Sequence, residues 1–83
     1  MINKVVNNME KSIFVFNTLT YTQRGREALR RRGIKTQIIR TPEKYRNDSC
    51  GYSLLVFDRV GDSKEILKAV NIPVQGVYPA DFR

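Results

Sequence analysis

Four short apolar segments alternate with two longer segments of helical periodicity along the chain. The apolar segments are rich in β-branched and aromatic residues and are bounded by polar positions, which is typical of β-strands. They read SIFVFN (12–17), IKTQIIR (34–40), YSLLVFD (52–58) and VQGVY (74–78). The first segment has apolar residues on both faces, so we expect it at the centre of a sheet.

The first helical segment lies between the first two predicted strands and ends near Arg32. Thr18 or Thr20 supplies the oxygen that caps its N-terminus, and Gly33 provides a left-handed stop at its C-terminus. Gly25 destabilises a helix interior by about 1 kcal/mol relative to alanine. We therefore expect Gly25 to mark a place where this helix packs closely on the sheet.

The second helical segment follows the third predicted strand. Gly61 and Asp62 turn the chain into this helix, and Asp62 and Glu65 have the spacing of a capping box. Its buried stripe is predicted to consist of Ile66, Leu67, Ala69 and Val70. Asn71 ends the helix, and Pro73 prevents it from continuing.

The predicted elements follow the order strand, helix, strand, strand, helix, strand. This is the order of the ferredoxin-like (split β-α-β) α+β fold, an antiparallel four-stranded sheet with both helices on one face. We expect one domain over residues 12–79. A flexible N-terminal extension (1–11) precedes it, and a loose tail (80–83) follows it.

Composition excludes several classes of function. With 83 residues, 41% of them hydrophobic, the chain suits one small globular domain. No apolar run reaches the roughly 20 residues of a membrane span, and the first ten residues do not resemble a signal peptide. A single cysteine forms no internal disulfide, so we expect a cytoplasmic protein. The absence of histidine removes Cys–His and Ser–His–Asp catalysis and most zinc sites, and no metal or cofactor is expected.

The net charge of +7 is concentrated in the first half of the chain. Residues 1–40 hold nine basic and two acidic side chains, whereas residues 41–83 hold six of each. Most of the excess comes from Arg24, Arg26, Arg30, Arg31, Arg32, Lys35 and Arg40. Such a cluster attracts phosphate-rich or acidic partners. The alternative is a solvated helix face that only keeps the protein soluble.

Cys50 is the candidate chemical group of this sequence. It ends a polar loop and is followed by Gly51, whose lack of a side chain lets backbone amides approach whatever the sulfur carries. The nearby Arg40, Lys44 and Arg46 would favour the reactive thiolate. One cysteine excludes a self-contained dithiol oxidoreductase, but a persulfide or selenium carrier needs only one. The alternative is that Cys50 is a small buried apolar residue.

From residue 13 to 79 the sequence resembles a bacterial family of selenium/sulfur carrier-like proteins. The resemblance rests on NTLTYTQRGREALRRRGIKTQIIRTP, the loop EKYRNDS, the dipeptide Cys50-Gly51 and the closing segment NIPVQGVYP. Glu27 matches an acidic residue near the middle of the family's helix.

This resemblance implies a small carrier or accessory protein, and we expect it to be non-enzymatic or only weakly catalytic. Cys50 would hold sulfur or selenium as a persulfide or selenopersulfide. Gly51 and the neighbouring amides would cradle it, and Thr41 and Pro42 would shape the loop. The arginines are more numerous than the resemblance requires, and from their charge we expect the basic helix to dock an acidic donor or acceptor protein, or a tRNA.

A second hypothesis is a small RNA-binding or protein-interaction module. The RNA-recognition motif has the same element order and places aromatic residues on its open sheet face. Phe14 and Tyr52 would stack on bases there. Three features depart from that motif. Cys50 stands where a basic residue belongs, Leu54 stands where an aromatic residue belongs, and the basic cluster lies mostly on the first helix, behind the sheet. The alternative is that Phe14 and Tyr52 fill the core or the interface of a homodimer.

Overall fold

A computed structural model describes residues 11–46 and 51–80 of the chain. The strands are β1 (Ser12–Val15), β2 (Thr36–Arg40), β3 (Tyr52–Val56) and β4 (Gly76–Pro79), and the helices are α1 (Leu19–Arg31) and α2 (Val60–Ala69). A single 3₁₀ turn, Glu43–Tyr45, lies in the connection between β2 and β3. The predicted extension and tail lie outside the described residues, apart from Lys11 and Ala80.

The four strands form one antiparallel sheet in the order β2-β3-β1-β4. Together with the order of elements along the chain, this confirms the predicted ferredoxin-like α+β fold. β1 and β3 are central, and β2 and β4 are the edges. Among the described residues, neither helix has the length and apolar character needed to span a membrane.

The direction of the strands gives the sheet two distinct ends. At one end, which we call the loop end, β2 finishes at Arg40 opposite the first residue of β3, Tyr52. The last residue of β1, Val15, lies opposite Gly76 at the same end. Because α1 follows β1 and α2 precedes β4, α1 begins and α2 finishes at the loop end.

Local signals in the sequence account for most of α1. The Thr18 side chain accepts a hydrogen bond from the Tyr21 N–H at 3.0 Å, so Thr18 is the N-cap. Gly33 follows the helix with φ +79° and supplies the predicted left-handed stop. A Cβ atom on Gly25 would lie 3.1 Å from the Phe16 ring, which confirms that Gly25 is a point of close packing.

The predicted start of α2 is wrong. The helix begins at Val60, and its N-cap is Arg59 in a left-handed conformation with φ +54° and no capping bond from its side chain. Asp62 lies inside the first turn, where its carboxylate accepts from the Arg59 guanidinium at 3.3 Å. Asn71 has φ +60° and ends the helix as predicted. Of the predicted buried stripe, Ile66 and Leu67 are buried, but Ala69 and Val70 are exposed, so the prediction is wrong for the last turn.

Both faces of the sheet are apolar, but different elements cover them. The helix side is the larger core, in which Phe14, Leu54 and Val56 of the central strands meet side chains of both helices. On the helix-free side, three central-strand residues are buried together, namely Ile13, Val15 and Leu55. Tyr45 from the 3₁₀ turn and Tyr78 from β4 are among the residues that pack against them.

Candidate functional site

The connection between β2 and β3 is closed at its base by a backbone hydrogen bond. The Thr41 N–H donates to the Gly51 carbonyl at 2.9 Å, which continues the β2–β3 ladder by one residue pair. Cys50 directly precedes Gly51 in the sequence, and it lies with residues 47–49 outside the described residues. The backbone flanking the predicted chemical group is therefore tied to the sheet on both sides.

A buried pair of hydroxyl groups supports this base. The Thr41 Oγ1 and Ser53 Oγ atoms are hydrogen-bonded, and both residues are shielded from solvent. Pro42 follows with φ −57° and leads the chain into the 3₁₀ turn. Thr41 and Pro42 thus lie where a loop-shaping role requires them.

An aromatic stack fixes the 3₁₀ turn on the helix-free face of the sheet. The Tyr45 and Tyr78 rings are nearly parallel, with an interplanar angle of 8° and centroids 4.1 Å apart. A Cβ atom on Gly76 would lie 2.6 Å from the Tyr78 hydroxyl, so the absence of a side chain at Gly76 makes room for this ring. The sequence interpretation missed Tyr45 and Tyr78. The one available signal was a lone aromatic residue within a polar loop.

Gly51 has a conformational role beyond its small size. Its φ of +91° lies in a region that L-residues with a side chain rarely adopt, while no neighbouring atom would obstruct a Cβ there. The requirement for glycine therefore comes from the backbone conformation and not from crowding.

The three basic residues predicted to favour the thiolate each contact a group of the loop or its base. The Arg40 guanidinium lies 5.6 Å from the centroid of the Tyr52 ring, and Lys44 Nζ lies 5.2 Å from that of Tyr45. Arg46 donates to the Thr41 carbonyl at 3.1 Å. The structure brings these cations to the loop end. Their effect on the Cys50 thiol stays a prediction.

The arginines of α1 are all exposed, but they do not converge on the loop. Arg30 donates to both carboxylate oxygens of Glu27 at 2.8 Å, and Arg31 lies 3.8 Å from one of them. The Arg30 hydrogen bond lowers the pKa of Glu27 below its ordinary value. Because α1 begins at the loop end, Arg30, Arg31 and Arg32 lie about 20 Å away at the other end of the sheet. Arg24 and Arg26 lie between the two ends.

The aromatic surface expected for RNA recognition is not formed. Phe14 has an exposed fraction of 0% and belongs to the helix-side core, as does Leu54. This contradicts a stacking role for Phe14 and confirms the core alternative. Tyr52 is 37% exposed, but strand alternation places it on the same side as Leu54, beside the helices. Phe14 and Tyr52 therefore form no open pair on the helix-free face.

Within residues 11–46 and 51–80, no group of three or more potential metal-ligating side chains comes together. What the geometry does define is a small α+β domain whose β2–β3 connection is pinned by a backbone bond, a hydroxyl pair and an aromatic stack. The family model described as "Putative Se/S carrier protein-like" matches residues 11–79. The chain belongs to this selenium/sulfur carrier-like family. No curated protein and no solved structure matches the chain significantly.

Proposed function

We propose that this protein carries one sulfur or selenium atom on the thiol of Cys50 and passes it to an acceptor. The observation that carries the proposal is family membership across residues 11–79, a range that includes Cys50-Gly51. The pinned base of the loop supports it, since a carrier thiol must be presented in a defined position. The positive φ of Gly51 supports it further, because it gives a physical reason for the glycine in the Cys50-Gly51 dipeptide on which the resemblance to the family rests.

The transfer chemistry needs one thiol and no net oxidant. The Cys50 thiolate attacks the outer sulfur of a donor persulfide, R–S–SH, forming a new S–S bond while the donor's S–S bond breaks and its electron pair leaves on R–S⁻. Delivery is the same displacement in reverse, because an acceptor nucleophile attacks the outer sulfur and Cys50 leaves as thiolate. A selenopersulfide donor reacts in the same way at selenium.

The test is the rate at which the native protein is loaded by a low-molecular-weight persulfide, followed by intact mass. We expect a gain of about 32 mass units per chain that is removed by a thiol reductant. Labelling of Cys50 by a thiol-selective electrophile between pH 5 and 9 should show an apparent pKa below the model-peptide value of about 8.5.

A matched control moves the thiol elsewhere on the same protein. Cys50→Ser combined with Ala69→Cys places the only thiol at an exposed position in the last turn of α2, where the helix dipole disfavours a thiolate. We expect this variant to load at least about tenfold more slowly than the wild type, as an unactivated thiol does at neutral pH. Equal loading rates, or reaction of Cys50 only after denaturation, would contradict the carrier function.

A further inference from the structure

The large hydrophobic residues that are exposed in the described part of the chain lie at the loop end of the sheet. From this we infer that the loop end is a docking surface for a partner protein, and that the matching surface of the partner is apolar at its centre and acidic at its rim. The inference rests on the proposed function, because it assigns this surface to the protein that donates sulfur or selenium to Cys50 or receives it.

Three large hydrophobic residues are exposed in the described part of the chain, and all three lie at the loop end. Leu19 is the first residue of α1 and is 42% exposed, while Val70 caps the end of α2 and is 47% exposed. Tyr52 begins β3 and is 37% exposed. Scattered single residues of this kind need no explanation, but their collection at one end of a small domain is typical of an interaction site.

A groove of about 680 Å³ opens at the same end, between α2 and the edge strand β4. Ile72, Val74 and Val77 give it apolar walls, and the half-buried ring of Tyr21 closes it on the α1 side. A concave apolar surface with a few polar groups at its margin has the character of a binding site. An apolar side chain of a partner would fill this groove.

The rim of the groove is basic and determines the sign of the partner's charge. Lys64 and Lys68 line it on the α2 side, and both are exposed. A second copy of this chain would bring like charges together in an isologous contact and would add its own net charge of +7. An acidic rim on a different protein is therefore the complementary surface.

The position of the groove suits transfer to or from the loop. Gly51 and Gly76 stand at the loop end on either side of β1, so about two strand spacings, or roughly 10 Å, separate them within the sheet. Because the surface includes Tyr52, which directly follows Gly51, a partner seated on it lies close to the base of the loop. A partner held by Arg30–Arg32 would instead lie at the opposite end of α1.

The experiment uses a short synthetic helical peptide with leucine along one face and glutamate on both sides of it. Its binding to the full-length protein is followed by chemical-shift changes in amide NMR spectra. We expect changes in the segments 19–22, 51–53 and 64–77, and few in 30–36. Changes centred on 30–36 would overturn the inference.

Two charge-reversal variants with the same change in net charge distinguish binding at this surface from general electrostatic attraction. Lys64→Glu with Lys68→Glu should weaken peptide binding by at least about tenfold. Arg31→Glu with Arg32→Glu changes the net charge equally at the other end and should weaken it by less than about threefold. Equal losses would overturn the inference, because only net charge would then matter. Far-UV circular dichroism establishes that both variants are folded.

Failure of the docking surface and failure of the carrier function give different results. If the surface is correct, the double lysine variant still loads sulfur from the small persulfide at the wild-type rate, and Cys50→Ser still binds the peptide. Slow loading of the wild type together with intact peptide binding would refute the carrier function, and with it the partner assigned to this surface. Normal loading together with absent peptide binding would refute the docking surface alone.

Discussion

Thr41 and Ser53 illustrate how single residues hold the base of the loop. Their hydroxyl groups are buried and hydrogen-bonded to each other across neighbouring strands. A buried polar group without a partner costs about 1–3 kcal/mol, whereas removing both partners together is often nearly neutral. The pair therefore stabilises the base of the loop chiefly as long as both hydroxyls are present.

We predict that Thr41→Val and Ser53→Ala are each destabilising and that their effects are not additive. Each single variant leaves one buried hydroxyl unpaired and should lower the free energy of unfolding by about 1–3 kcal/mol. The double variant should lose clearly less than the sum of the two. Urea denaturation of the three variants and the wild type measures this, and additive losses would show that the hydroxyls act independently.

At the scale of elements, the described part of the β2–β3 connection packs on the sheet. The 3₁₀ turn brings Tyr45 onto the ring of Tyr78, and both rings pack against the buried residues of the helix-free face. This small aromatic layer covers a face that no helix covers. Because the ends of the loop are also tied at Thr41 and Gly51, the chain on both sides of residues 47–50 is held in place.

We predict a favourable coupling between Tyr45 and Tyr78. A double-mutant cycle with alanine at both positions should give about 0.5–1.5 kcal/mol, the range for stacked aromatic pairs beyond their burial. The control is a second double-mutant cycle, with alanine at Tyr45 and Tyr21, because Tyr21 packs with the helix-side core. That pair should be additive within about 0.5 kcal/mol. Equal coupling in the two cycles would show that the stack has no energy of its own.

At the scale of the whole molecule, charge and apolar surface are separated along the length of α1. Both the exposed hydrophobic residues and the pinned loop lie at the loop end, whereas Arg30–Arg32 lie at the other. The ion pairs of Glu27 offset the charge of Arg30 and Arg31 in part. Exposed pairs such as these add little to stability. Among the described residues neither Arg24 nor Arg32 forms an ion pair, so the arginines of this helix keep a net positive charge that attracts anions at long range.

We predict that the arginines in and directly after α1, among them Arg24, Arg31 and Arg32, govern non-specific binding to polyanions. Arg24→Gln, Arg31→Gln and Arg32→Gln combined should elute from a heparin matrix at clearly lower salt than the wild type, because clustered charges release the most counterions. The control neutralises Lys11, Lys44 and Lys68, an equal change in net charge at exposed positions in three separate parts of the chain. Equal shifts for the two triple variants would show that the cluster has no special role.

Much of the fold is predictable because its signals are local. Short apolar segments rich in β-branched and aromatic residues, separated by helical stripes, specify the order of elements. Thr18 and Gly33 mark the ends of α1 through the conformations that they favour. The start of α2 was missed because a left-handed Arg59 leaves no compositional trace. Asp62, whose carboxylate accepts from Arg59, suggested an N-cap three residues too late.

The sequence alone determines the α+β element order, the family, and the candidate thiol at Cys50-Gly51. The tertiary structure decides what those elements bring together. Both faces of β1 are apolar, so only the packing of the helices assigns Phe14 to the core and excludes it from an open surface. Tyr45 and Tyr78 are distant along the chain and meet only because the turn folds over the sheet. The strand directions likewise place the apolar groove beside the loop and Arg30–Arg32 away from it, since contacts between distant segments depend on topology and not on local pattern.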